Sequence, residues 1–306
     1  MVPVAPQIAG VAGLLPTAPH DATQLGGPSR PWLVRYGERT AVLRFSDPER
    51  LRRLRLTPDV AHASIVWMHD FLADLARVGF VAPEPIRELD GDSIAVVDGV
   101  IWELLAFVPG TPMEWSGPMR DAGGLLARFH DASLRTAARQ QRPGALPIGE
   151  CRPSTPNARR MRAHLDRELA EVGYEGAERG VVHGDATQAN VVIDGDAYHL
   201  VDYALVAVEP LLFDIASALW RNGRTAEGSL DYDAGRAAEF VHGYHAVRPL
   251  VPGDARAIVA YMLGRGLQIE RRHELRQGHD ATIMERLLSV ERQADELRDA
   301  LARAIG

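Results

Sequence analysis

The chain has 306 residues, with 34 basic and 41 acidic side chains and a formal net charge of −7. Every basic residue is arginine and none is lysine, which excludes a Schiff-base lysine, a pyridoxal phosphate site and the lysine of a G-x-x-x-x-G-K-[ST] phosphate loop. The acidic balance argues against a nucleic-acid partner, the single Cys151 excludes an intramolecular disulfide, and no apolar run is long enough for a transmembrane helix.

Residues 1–15 are apolar, but they lack a basic leader and contain Pro3 and Pro6. No signal peptide is expected, and a reducing, cytoplasmic setting fits the lone cysteine. A turn-forming cluster at 25–30 contains Gly26, Gly27 and Ser29. The β-rich runs 32–36 and 40–45 follow as a hairpin. Ile65, Met68, Leu72 and Leu75 predict a helix over 60–78, with Gly79 at its C-terminal cap. Residues 94–97 and 100–105 read as a second hairpin that turns at Asp98-Gly99.

Beyond Phe107 to Gly110 the pattern turns helical, with helices expected at 119–135, 157–173, 213–222, 231–247, 254–277 and 281–304. One β-rich island, 181–208, lies among them, and 136–156 reads as a loop or mobile insertion. The expected class is α+β, with a small β-rich N-terminal lobe over 1–106 and a larger, mainly helical lobe over 107–306.

The densest chemistry is His183-Gly184-Asp185, four residues, then Asn190. An apolar run, an Asp194-Gly195-Asp196 turn and a returning strand lead to Asp202-Tyr203. A hairpin there brings Asp202 back beside the Asp185 loop. Two carboxylates and an amide oxygen are the hard ligands that Mg²⁺ takes beside substrate phosphates. A carboxylate at such a site can also accept a proton from an incoming hydroxyl. Protein kinases use H-R-D-x-x-x-x-N and a later Asp for this task, and Gly184 stands in place of their arginine.

The pattern resembles the aminoglycoside phosphotransferase and choline kinase-like small-molecule kinases over roughly residues 24–245. The resemblance implies a bilobal, protein-kinase-like fold that uses ATP or GTP with Mg²⁺. It makes Asp185 the catalytic base and Asn190 and Asp202 the metal ligands. His183 would hold the loop in shape, and Asp214 would cap a helix at Ile215 and tie the loop down. Gly26, Gly27 and Ser29 would belong to the loop covering the nucleotide. Ala106 and Val108 would offer backbone groups to the base.

Arg44 stands where kinases carry a strand lysine, and no Glu occurs between Glu49 and Glu84 to hold it from the next helix. Asp70 is the expected substitute, with His69 the other residue at that helical position. His130 reads as a packing residue. The acceptor implied is a small hydroxyl-bearing molecule: an aminoglycoside or other antibiotic, an amino sugar or an amino alcohol. The alternatives are a homoserine-type or protein Ser/Thr kinase of the same fold, or a non-catalytic nucleotide-binding protein. The Arg-rich stretch 265–276 reads as a solvated helix face. If Arg265 or Arg271 instead faces the site, an acceptor bearing a carboxylate or phosphate fits better. No membrane or nucleic-acid partner is expected, and monomer and homodimer both remain open.

Overall fold

The computed structural model describes residues 15, 17, 19–25, 31–46, 51–52, 56–87, 92–138, 140–151, 155–173, 177–276 and 280–306. The chain divides into two compact units, Met1–Pro109 and Gly110–Gly306. Among the described residues no helix is long and apolar enough to cross a membrane.

The first unit is built on an antiparallel sheet. Its strands are β1 (Asp21–Gln24), β2 (Trp32–Tyr36), β3 (Arg39–Ser46), β4 (Ile94–Val97) and β5 (Val100–Ala106), in the order β1-β2-β3-β5-β4. Alternate residues on three strands (Trp32, Val34 and Tyr36; Ala41 and Leu43; Trp102 and Leu104) form one buried cluster, as the two-residue period of a strand requires. The β4–β5 turn places both Asp98 and Gly99 at positive φ, 51° and 75°, the conformation that a tight two-residue hairpin needs. Helix α1 (Pro58–Arg77) starts slightly earlier than its apolar stripe suggests, because the Thr57 hydroxyl accepts the Val60 N–H and Pro58 occupies the first turn.

The second unit is mainly helical. Helix α2 (Met119–Arg135), helix α3 (Pro156–Val172), helix α4 (Leu211–Asn222), helix α5 (Ala234–Val247), helix α6 (Asp254–Arg276), helix α7 (Ala281–Arg292) and helix α8 (Ala294–Ile305) surround short strands. These are β6 (Thr111–Pro112), β7 (Arg179–Val182), β8 (Val191–Asp194), β9 (Ala197–Leu200) and β10 (Ala207–Pro210). Helix α5 packs against α2 and α8. At the α2–α5 crossing a Cβ on Gly123 would collide with the Phe240 carbonyl, and one on Gly243 with the Arg120 carbonyl.

Three expectations change here. The helix expected from 231 starts at Ala234, because the Asp233 side chain caps it by accepting the Arg236 N–H at 3.0 Å. The helix expected over 281–304 is two helices that break at Gln293. The Gln293 amide brackets the Tyr232 backbone, accepting from its N–H at 2.9 Å and donating to its carbonyl at 3.0 Å. The stretch 136–156 is a loop, but its described residues are tied down. The Gln141 amide pairs with both backbone groups of Val208, and Arg142 donates to the Ala204 carbonyl at 2.7 Å.

Glu209 anchors the same stretch by accepting the Ile148 N–H at 2.9 Å. It is 1% exposed, and burial pushes its carboxyl up to about 7. A folded-state value above the ordinary 4.5 means that stability falls as pH rises through that interval. Glu209→Gln keeps the acceptor and removes the charge. Its melting temperature is expected to equal that of the native chain near pH 5 and to exceed it at pH 8. A difference that is constant with pH would contradict this account.

Candidate functional site

In the second unit the loop 183–190 leaves β7 and ends in a short 3₁₀ turn at Gln188–Asn190, from which β8 and β9 form a hairpin. The hairpin returns beside the loop, where the Val201 N–H donates to the Asn190 carbonyl at 2.9 Å. The next residue, Asp202, is left-handed at φ 61°. No tight hairpin accounts for this backbone, unlike that of Asp98. An outlier held by its surroundings motivates a functional reading of this position.

Asp185 is partly buried. Its Oδ2 accepts from the Asn190 side chain at 3.2 Å, and the same amide donates to the Asp185 carbonyl at 2.8 Å. The Asn190 amide is thus oriented by its NH₂, and its Oδ1 accepts no hydrogen bond among the described residues. Asp202 is exposed. These residues offer an amide oxygen and a carboxylate, a donor set that fits Mg²⁺, which usually keeps one or two protein oxygens and fills its octahedron with water and phosphate. Among the described residues no group of three His, Cys, Asp or Glu could form a closed metal cage.

His183 is fully buried and lies within the fields of Asp214, Asp185 and Asp202. Burial outweighs these carboxylates and holds its pKa below the ordinary 6.5. The neutral ring has a defined use. Its Nε2 donates to the Val201 carbonyl at 3.1 Å, which leaves Nδ1 to accept the Asp185 N–H at 3.3 Å. His183 therefore links the returning strand to the loop. Its ring packs 4.8 Å from that of Tyr203, the aromatic residue after Asp202.

Helix α4 braces the loop from the other side. Both oxygens of buried Asp214 accept loop N–H groups, from His183 at 2.6 Å and Gly184 at 2.8 Å. Helix α4 begins at Leu211, so Asp214 lies within its first turn and does not cap it at Ile215. His130 also donates to Asp214, at 3.0 Å, and so belongs to the brace as well as to the core. Ser217 donates to the Gly184 carbonyl. Asn222 donates to the Ala186 carbonyl and accepts the Gln188 N–H. Ser217 and Asn222 were not singled out in the sequence, since their only signal is position on a helix whose start had first to be known. Gly184 sits at φ 76°, and a Cβ there would lie 2.5 Å from the Leu205 carbonyl oxygen.

Arg265 of α6 also reaches this site, with Nη2 3.7 Å from Asp185 Oδ1. It is 4% exposed, and no residue from 265 to 274 is exposed, so the solvated face expected for 265–276 does not hold there. Arg271 pairs instead with Glu274 at 2.7 Å.

In the first unit the expected partner of Arg44 is replaced. Asp70 is exposed on α1. The carboxylate that meets Arg44 is Glu103, directly opposite it in the β3–β5 register, with Nε to Oε1 at 3.4 Å. His69 holds Glu103 from α1 at 3.0 Å, and its other ring nitrogen meets the Ser93 hydroxyl at 2.8 Å. The helix thus reaches the strand cation through a histidine and a strand glutamate. The Ala106 N–H is engaged by the Glu84 carbonyl at 2.7 Å, so it is not open to a base, while Val108 lies past the end of β5. Gly26, Gly27 and Ser29 lie outside the described residues.

An antiparallel sheet followed by a helical unit that carries a braced His-Gly-Asp loop defines an α+β fold of the kinase-like class. Residues 22–250 match the phosphotransferase enzyme family, and the chain belongs to it. The homoserine kinase of Methylobacillus glycogenes is 29% identical over 239 residues, 72% of this chain and 74% of that protein. That of Gluconacetobacter diazotrophicus is 28% identical over 219 residues, 66% and 67% of the two chains. Among solved structures, a microcompartment-associated aminopropanol kinase superposes with a TM-score of 0.70 at 17% identity, covering 97% of this chain and 99% of that one. An aminoglycoside phosphotransferase from Alicyclobacillus acidocaldarius gives 0.64 at 19% identity, over 100% and 96%.

Proposed function

We propose that this chain transfers the γ-phosphoryl group of ATP to the hydroxyl of a small amino acid of the homoserine type. Two things support the acceptor class: the homoserine kinases among its relatives and the cationic, buried side chain beside Asp185. They favour this class over an aminoglycoside or another antibiotic. The likeness to the solved aminoglycoside enzymes, below 20% identity, bears on the fold alone.

The observation that carries the reading is the loop itself, in which Asn190 fixes one carboxylate oxygen of Asp185 and Arg265 stands 3.7 Å from the other. Asp185 orients the acceptor hydroxyl and takes its proton as the new O–P bond forms and the bond to ADP breaks. Asn190 and Asp202 would hold Mg²⁺, which would supply positive charge to the phosphate oxygens. In the first unit Arg44, paired with Glu103, carries a planar cation at the strand position where other kinases use lysine.

The test is ADP release from Mg-ATP with a panel of L-homoserine, amino alcohols, amino sugars and aminoglycosides, repeated with GTP. Acceptor-dependent ADP release with O-phosphohomoserine as product is expected, and EDTA abolishes it. Robust turnover on an aminoglycoside but not on homoserine would overturn the acceptor class. No turnover and no nucleotide binding would overturn the kinase reading.

A further inference from the structure

We infer that Arg265 is the specificity-determining residue for an anionic group on the acceptor, and that this group is a carboxylate. The inference rests on the phosphotransferase reading of Asp185 and goes beyond it by assigning a residue and a chemical group.

Arg265 has five N–H donors, and few of them are used. Nη1 donates to Gln268 Oε1 at 2.7 Å, and Gln268 is itself fixed by donating to the Leu146 carbonyl at 2.7 Å. Nε is buried with no hydrogen-bond partner. Nη2 stands 3.7 Å from Asp185 Oδ1, within ion-pair range but too far for a hydrogen bond. A buried guanidinium with unfilled donors is costly unless something completes it. Its planar fork matches a carboxylate.

The position is built by the sequence around it. A Cβ on Gly264 would collide with Ile148, and one on Gly266 would lie 2.5 Å from both Trp220 and Leu287. Glycine on both sides lets α6 approach its neighbours closely enough to bury Arg265 at the base. The buried charge is held by its neighbours. Burial weighs most and lowers the Arg265 pKa, Asp185 and Asp214 favour its charged form, and the nearby Arg221 opposes it. Arg221 lies exposed on α4 and forms no ion pair among the described residues, so a second positive charge borders the site. Asp185 faces the Arg265 guanidinium at close range, so an acceptor hydroxyl presented to Asp185 brings a carboxylate on the same small molecule within reach of the unfilled donors.

The matched pair L-homoserine and 3-aminopropan-1-ol differs only in the carboxylate. The unaltered chain is expected to prefer homoserine by about 100-fold or more in kcat/KM, as a site built to pair a polar group does. In Arg265→Gln the preference is expected to fall below about tenfold, with most of the change in the KM for homoserine. Arg265→Lys, which keeps the charge but loses the fork, is expected to fall between. Circular dichroism establishes that each variant is folded. If Arg265→Gln does not fold, Arg265→Lys and the pair on the unaltered chain decide.

Equal losses on both acceptors with the preference intact would overturn the inference and assign Arg265 to the transferring phosphoryl group. Turnover of acceptors that lack any anion, without preference, would overturn it while leaving the phosphotransferase reading intact. No nucleotide-dependent transfer to any acceptor would overturn both.

Discussion

Asp185→Asn is expected to lower phosphoryl transfer to homoserine by about 10²–10⁴-fold while nucleotide binding persists. The amide conserves the shape of the carboxylate and can still accept from Asn190 through one oxygen. It cannot take a proton from the acceptor hydroxyl. It also removes the negative charge that faces Arg265, so the drop should lie mainly in kcat, with the KM for homoserine unchanged or lower. Single-turnover assays with ATP and homoserine measure the first, and thermal stabilisation by Mg-ATP measures retained binding. Full turnover by this variant on its own acceptor would remove Asp185 from the role of base.

Asp214→Ala is expected to destabilise the second unit by about 3–5 kcal/mol, the range for removing one member of a buried charged network. Three donors lose their acceptor together: the N–H groups of His183 and Gly184 and the ring of His130. His130 is in turn bound to the Tyr244 hydroxyl at 2.7 Å, so the loss reaches α5. Asp214→Asn should recover only part of the cost, because its NH₂ group faces donors. The pH dependence has a defined sign. Burial alone would raise the Asp214 pKa, but the bonds to His130 and His183 hold it below its ordinary 3.8. Its contribution is therefore present above that value and lost as pH falls through the depressed one. His183, also depressed, adds a loss of stability as pH falls below 6.5. Urea titrations between pH 3 and 8 test both. A native chain whose stability does not fall with acid, or an Asp214→Ala variant as stable as the native one, would contradict this account.

The two hairpins and the loop preceding the third were legible because local chemistry specifies them. Asp98-Gly99 fits its turn without help from the rest of the chain, and Asp194-Gly195-Asp196 marks the turn that carries Asp202 back. Glu103 was not legible as the partner of Arg44. It sits inside an apolar run, and only the β3–β5 register, set by strands distant in sequence, places the two opposite each other. Asp214 was read as a cap because the start of α4 was placed two residues late. With the true start at Leu211, Asp214, Ser217 and Asn222 become three braces of one loop. Arg265 was hidden by its company. A stretch dense in arginine and glutamate looks solvated, and the signal against that reading was the glycine on either side.

Gly184 separates this loop from the His-Arg-Asp loop of protein kinases by a backbone barrier. Any side chain at 184 meets the Leu205 carbonyl. The turn at Tyr203–Leu205 cannot simply yield, because Arg142 donates to the Ala204 carbonyl and Asp202 opens the same turn. An arginine at 184 would therefore have to arrive together with a rebuilt turn and a repositioned Asp202. The position of one carbonyl oxygen thus ties the residue at 184 to the turn that presents Asp202.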